Sequence, residues 1–266
     1  MEGVATQSEA LSEESMKSYQ RIIREKKAKE PSGDLFGDYW KKIDVDIKKA
    51  IVKPISNEEA KKVILEYEWL GTMGTSTRFC YGIFFDGHLG GVVCYGELGA
   101  VAFDHYRKTV GEKFYNKGII LNRGACVHWA HEHAGSKLIS SSLKDINKKN
   151  FKFVVAYVDS EAGEVGTLYQ ATNWYYLGAT KDVHHDIYYK NGKMFLGDRN
   201  FYVKFGTRSK KKMEEYIKEH AGLELRVRKG KGRYMYLLGT KKDRKEMWKV
   251  LQYKVKPYPK RGGNAG

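Results

Sequence analysis

The spacing of apolar positions changes period several times along the chain, and each change marks an element. From Ile43 to Ile55 apolar residues alternate with polar ones, which predicts a first strand closed by Pro54. Ser56 followed by Glu59 is a capping box, the start signal of a helix. Behind it Ala60, Val63, Ile64, Tyr67 and Leu70 recur at helical spacing, and Gly71 ends the run. Arg78 to Phe85 and Leu89 to Tyr95 read as two strands joined at Asp86-Gly87-His88, a hairpin connection.

The stretch from Ile120 to Gly178 is the most informative. An apolar run leads into a loop ending at Gly135, and a helix is predicted from Ser136 to Lys149. A buried strand, Phe151 to Val158, ends at Asp159, and a glycine-punctuated second helix leads to Asn173 and Gly178. Two strands joined through a helix must run parallel. Ligands of open α/β sheets gather at the carboxyl ends of such strands. Free amides at the start of the Ser136 helix favour an anion, and Gly135, Ser136 and Lys137 would supply close approach, a hydroxyl and a positive charge. The fold class is therefore α/β with a mixed sheet.

Beyond Gly206 the pattern becomes basic. A short helix from Ser209 carries Met213, Tyr216 and Ile217 on one face, and Leu223, Leu225 and Val227 alternate with charged residues. Lys229-Gly230-Lys231-Gly232 is predicted to turn the chain into a second strand at Arg233 to Leu238, and a helix follows from Lys241 to Tyr253. His184-His185-Asp186 opens a hairpin that turns at Asn191-Gly192. At the other end, residues 1–42 read as a flexible arm, acidic at first and basic from Arg21 to Lys29, with a break at Pro31-Ser32-Gly33. The expected partition is an arm (1–42), a catalytic domain (43–206) and a basic appendage (207–266).

Charge sharpens that partition. The 266 residues carry a formal net charge of +16, and residues 204–261 hold 20 Lys and Arg against 6 Asp and Glu. A segment of that kind suits a polyanion, DNA or RNA. Lys229, Lys231, Arg233 and Tyr234 are its candidate contacts, with Trp69 a further aromatic contact to a base. The hydrophobic fraction of 41% is enough for a core. The chain has no apolar run long enough for a membrane span and no apolar signal core at its start, so a cytoplasmic, membrane-free protein is expected. Cys80, Cys94 and Cys126 lack metal-type spacing and read as reduced thiols. The spacing of His128, His131 and His133 matches no recognised zinc pattern, so these are expected to line a pocket.

The β-α-β-α stretch resembles the acyl-CoA-binding half of the GNAT acyltransferase fold, with the hairpin as its front half. That resemblance implies acetyl-CoA, its phosphates on the helix start at Gly135, Ser136 and Lys137, Asn173 a further cofactor contact, and its pantetheine between two splayed strands. A narrower resemblance rests on Leu121-Asn122-Arg123, on Ser136, on Ala156-Tyr157-Val158-Asp159, on Gly163 and Gly166, and on Tyr169-Gln170-Ala171-Thr172-Asn173-Trp174. This set is similar to the phage Mom proteins, GNAT-like proteins that modify adenine in viral DNA and shield it from host restriction. It implies an N6 (carbamoylmethyl-type) modification, performed in the host cytoplasm, with Asp159 as base and Arg123, Ser136 and Tyr169 beside it. Glu68 and Trp69 stand where that family carries a His-Tyr pair. The alternatives are an N-acetyltransferase acting on another amine and a non-catalytic nucleic-acid-binding module.

Overall fold

The computed structural model describes residues 17–30, 39–74, 76–99, 102–181, 184–192, 194–251 and 253–261. The acidic chain start and the Pro31-Ser32-Gly33 break lie outside the described residues. Two compact units form, Met1–Gly178 together with Gly232–Gly266, and Ala179–Lys231. The division differs from the expected linear one, because the chain leaves the first unit at Gly178 and returns to it at Gly232.

The first unit opens with helix α1 (Tyr19–Lys29), strand β1 (Ile51–Ile55) and helix α2 (Asn57–Tyr67). The Ser56–Glu59 capping box is present, and Ala60, Val63, Ile64 and Tyr67 are buried. Leu70, expected on the same face, lies past the helix end and is exposed. Strands β2 (Thr77–Phe85) and β3 (His88–Glu97) form the predicted hairpin. Its turn places Asp86 at φ 46° and Gly87 at φ 80°, the paired positive values that tight hairpins need. Helix α3 (Phe103–Val110) leads to β4 (Gly118–Cys126), α4 (Ala134–Lys148) and β5 (Phe153–Val158). A single helical turn, α5 (Thr167–Ala171), precedes β6 (Tyr175–Ala179).

The second unit carries β7 (His184–Tyr189), β8 (Met194–Leu196), α6 (Asp198–Phe205), α7 (Lys210–Glu219) and β9 (Leu223–Arg228). Its sheet order is β8-β7-β9, and Ile187, Phe201 and Met213 are its buried centre. Two buried carboxylates, Asp186 and Asp198, share Arg228: its Nε donates to Asp186 Oδ2 at 2.6 Å and an Nη donates to Asp198 at 2.8 Å. His184 completes the cluster, 2.9 Å from the same Asp198.

The return strand overturns the expected appendage. β10 (Gly232–Leu237) enters the main sheet, whose order is β1-β2-β3-β4-β5-β10-β6, and pairs antiparallel with β5 from Gly232↔Val158 to Leu237↔Phe153. The Lys229–Gly232 segment is therefore no hairpin, because β9 pairs with β7 and β10 with β5. Most pairs in the sheet are antiparallel, with β4 and β5 parallel.

Burial on both faces explains why β10 sits inside. On one face Val154, Ala156, Val158 and Tyr234 pack with α2 and α4; on the other Phe153, Val155, Met235 and Leu237 pack with Tyr106 and Val110 of α3 and Met247 of α8 (Lys241–Val250). Helix α1 also departs from expectation, since it docks on the first unit. Gln20 Nε2 donates to the Tyr67 carbonyl at 2.6 Å, Lys27 pairs with Glu66 at 3.2 Å, and the Tyr19 ring lies edge-on to Trp69.

Helix α8 begins at a second capping box, Thr240 with Asp243, and Lys152 adds an ion pair to Asp243 at 3.1 Å. The Thr240 amide and that ammonium hold the Asp243 pKa at about 2, below its ordinary 3.8. A depressed carboxylate stabilises the fold above its unfolded pKa and loses that contribution as pH falls through the folded one. Asp243→Asn should therefore lower stability by about 1–2 kcal/mol at pH 7. The difference from the parent should shrink between pH 4 and pH 2, as read by denaturant unfolding at both ends of that range.

Candidate active site where two strands part

The two parallel strands bond only in part. β4 and β5 pair from Gly118↔Phe153 to Leu121↔Ala156, yet β4 runs on to Cys126 and β5 to Val158. The parting starts at a bulge. Cys94 of β3 faces Arg123, and the next residue, Tyr95, faces Leu121, so Asn122 is the extra residue. Past that point the facing backbone edges lose each other as partners, and a ligand is one way to satisfy such groups. This is the splayed pair that the GNAT resemblance implied.

Arg123 follows the bulge and is fixed by the loop after α2. Its Nε donates to the Thr72 carbonyl at 2.6 Å and an Nη donates to the Asn122 carbonyl at 2.6 Å. Glu68, one residue past α2, is 9% exposed, and its carboxylate accepts the Leu70 amide at 2.9 Å. Burial pushes the Glu68 carboxyl above its usual range, and the charge of Glu164 adds to that; Arg123 and the amides of Leu70 and Gly71 oppose it. Glu164 lies in the turn after β5, where it accepts the Asp159 amide at 3.2 Å. Tyr169 stands next to this group, its hydroxyl pKa raised by burial and by the charges of Glu164 and Glu68. Glu68, Arg123, Glu164 and Tyr169 thus form one electrostatic cluster.

Asp159 ends β5 as expected, but its Oδ1 accepts the Glu161 amide at 3.0 Å and caps a short turn. The helix-start residues are committed elsewhere. The Ser136 hydroxyl donates to the His133 carbonyl at 3.0 Å, and the Lys137 ammonium reaches the Ile47 carbonyl. Gly135 is buried against Leu168, which a Cβ there would meet at 3.0 Å. Asn173 is exposed in a left-handed turn at φ 60°. The Ser136 hydroxyl and the Lys137 ammonium thus each have a protein partner, and the gap between β4 and β5 suits an extended arm.

Among the predicted nucleic-acid contacts, two are corrected. Tyr234 is fully buried and its hydroxyl donates to the Val165 carbonyl at 2.7 Å, so it cannot stack on a base. Arg233 is buried too, its guanidinium 4.0 Å from the Tyr253 ring centroid and 3.3 Å from His105 Nε2. Both belong to a strand covered on each face. Lys229 is exposed and Lys231 half-buried, both in the second unit, and Trp69 is half-buried against Tyr19. His128 shares a hydrogen bond with the Tyr67 hydroxyl at 2.9 Å, and His131 accepts the His133 amide. No metal-binding group of three or more side chains occurs among the described residues.

The profile of the Mom protein family matches residues 49–260. The chain belongs to the Mom protein family. No curated protein matches it. Similar solved structures include the ribosomal-protein-S18-alanine N-acetyltransferase from Escherichia coli, with 6% identity and a TM-score of 0.40 over 72% of this chain and 95% of that one. An acetyltransferase from Bacillus subtilis in complex with CoA has 11% identity and a TM-score of 0.41, covering 72% of this chain and 100% of its own. Spermidine N-acetyltransferase from Vibrio cholerae, in complex with CoA and spermine, has 8% identity and a TM-score of 0.39, covering 71% and 96%.

For this member of the Mom family, Glu164 is the residue that sequence reasoning missed. A lone carboxylate between Gly163 and Gly166 carries no spacing signal, and only the turn brings it beside Glu68. The coupling is measurable. Arg123→Gln removes the counter-charge facing Glu68, so the Glu68 carboxyl should titrate at higher pH than in the parent. Carbon-13 NMR of labelled glutamate side chains reads this directly; an unmoved titration would show that the two groups are not coupled.

Proposed function

We propose that the chain is a group transferase that modifies the exocyclic amine of adenine in DNA, as the Mom family resemblance implies. The observation that carries this reading is the buried Glu68 carboxyl, with the half-buried Arg123 and Glu164 acting on its charge, in a chain of that family. The adenine amine is a poor nucleophile because its lone pair is delocalised into the ring. As its nitrogen bonds the transferred carbon, the donor's leaving group departs with the electrons of the broken bond and the amine must lose a proton. Glu68 is suited to take it: a buried carboxylate with a raised pKa is a stronger base than an exposed one. It takes over the role first given to Asp159, whose carboxylate caps a turn. Arg123, held by Thr72, favours the ionised form of Glu68 against the effect of burial and supplies positive charge for an oxygen on the group in transfer.

An adenine inside a duplex must be extruded, at a cost of a few kcal/mol. Contacts to phosphates offset that cost. Exposed lysines of the second unit, Lys210, Lys211, Lys212 and Lys229, are suited to it. DNA is accordingly the proposed partner, in the cytoplasm of a host cell. No described helix is long and apolar enough to cross a membrane.

Nucleoside mass spectrometry of DNA from cells expressing the chain tests the reading. A new adenine adduct is expected, and unmodified adenine with an acetylated other target would replace this function by an N-acetyltransferase. Glu68→Gln should reduce adduct by at least about 100-fold while leaving the unfolding transition in place, in keeping with loss of a general base. Activity of the parent should fall as pH drops toward the raised Glu68 pKa, because only the ionised carboxylate accepts the proton. Reversing Lys210, Lys211 and Lys212 to Glu should weaken DNA binding and flatten its dependence on salt, by roughly one unit of log–log slope for each phosphate no longer neutralised.

A further inference from the structure

The bulge residue has an unexplained polar atom. Asn122 Oδ1 is buried and has no hydrogen-bond partner among the described residues. Unpartnered buried acceptors are rare and call for a reason. Its surroundings are shaped to leave the carboxamide room. Gly74 and Gly96 flank it on two sides: a Cβ on Gly96 would meet Nδ2 at 2.6 Å, and one on Gly74 would lie closer still. Either alanine would push the amide out of place. The cradle is built from the loop whose Thr72 carbonyl holds Arg123. Asn122 therefore projects beside the loop that also fixes Arg123, at the point where β4 and β5 separate.

We infer that the Asn122 carboxamide reads the acceptor base. An adenine edge presents an amine N–H beside a ring nitrogen acceptor, and a carboxamide pairs with both at once, its oxygen accepting and its nitrogen donating. Turning the amide by 180° exchanges its two atoms, and adenine, whose amine is flanked by N7 on one edge and N1 on the other, meets the reversed order with its other edge. The pairing requires the amide to turn out of its glycine cradle toward the base, which frees the buried oxygen and holds the amine nitrogen where the strands part. Asn122 is a specificity-determining residue, and its assignment rests on the proposed action on adenine.

The test is binding of single-stranded oligonucleotides, which needs no group donor. One probe carries a central adenine in a pyrimidine tract; a second carries purine, which lacks the 6-amine, at that position. The parent should prefer adenine by about 10- to 100-fold, the discrimination of a bidentate carboxamide pair. Asn122→Ala should erase the preference, and Asn122→Asp, which keeps the acceptors but loses the donor, should retain part of it. Circular dichroism and an unfolding curve confirm that each variant folds; should Asn122→Ala not fold, Gly96→Ala, which displaces the amide, takes its place. A parent that prefers adenine, with a variant that prefers it equally, overturns the role of Asn122 and leaves the proposed function standing. A parent that binds neither probe overturns both.

Discussion

The site depends on one constraint: β4 and β5 are hydrogen-bonded only as far as Leu121 and Ala156. A parallel ladder that stopped without cause would leave backbone donors and acceptors unsatisfied at the centre of a seven-stranded sheet. The bulge at Asn122 supplies the cause. By adding a residue to β4 it increases local twist and turns the strand away from its neighbour. It also places Asn122 and Arg123 side by side at the mouth of the gap. The opening and two of the polar groups at it arise from the same inserted residue.

The second structural requirement is that the sheet beyond β5 be closed. β10 does this from a distance in sequence, and its burial on both faces makes it central. Tyr234 ties the arrangement to the site. Its hydroxyl holds the Val165 carbonyl, and Gly166 at φ 72° has no Cβ because one would meet the Tyr234 ring at 2.5 Å. The turn so fixed carries Glu164. A basic strand that looked like a nucleic-acid contact is thus the support that brings a carboxylate to Glu68.

Charge is used in two ways. In the interior, Asp186 and Asp198 share Arg228, whose guanidinium offsets their burial, while the charge of Arg123 offsets the burial of Glu68 only in part. On the surface the lysines of α7 and Lys229 remain solvated. The net charge of residues 204–261 is divided between the two compact units. Removing that segment would take away β10 and, with it, the link between β5 and the edge strand β6.

Local chemistry was legible in the sequence by itself. The capping box at Ser56, the Asp86-Gly87 turn, the buried face of α2 and the β-α-β order that makes β4 and β5 parallel all depend on residues close together, so spacing reveals them. The Mom family membership was legible for the same reason, since its motifs are short. Pairing partners over long separations were not. Arg233 to Leu238 reads as a strand of the basic appendage because alternation records two faces but not which neighbour a strand finds, and only the folded chain sets it between β5 and β6. The cluster of Glu68, Arg123 and Glu164 likewise joins three separate segments, and the depth of burial that raises the Glu68 pKa is a property of the packed interior. Tertiary structure decided which carboxylate is buried, which lysine is committed to a carbonyl, and which asparagine keeps an acceptor without a partner among the described residues.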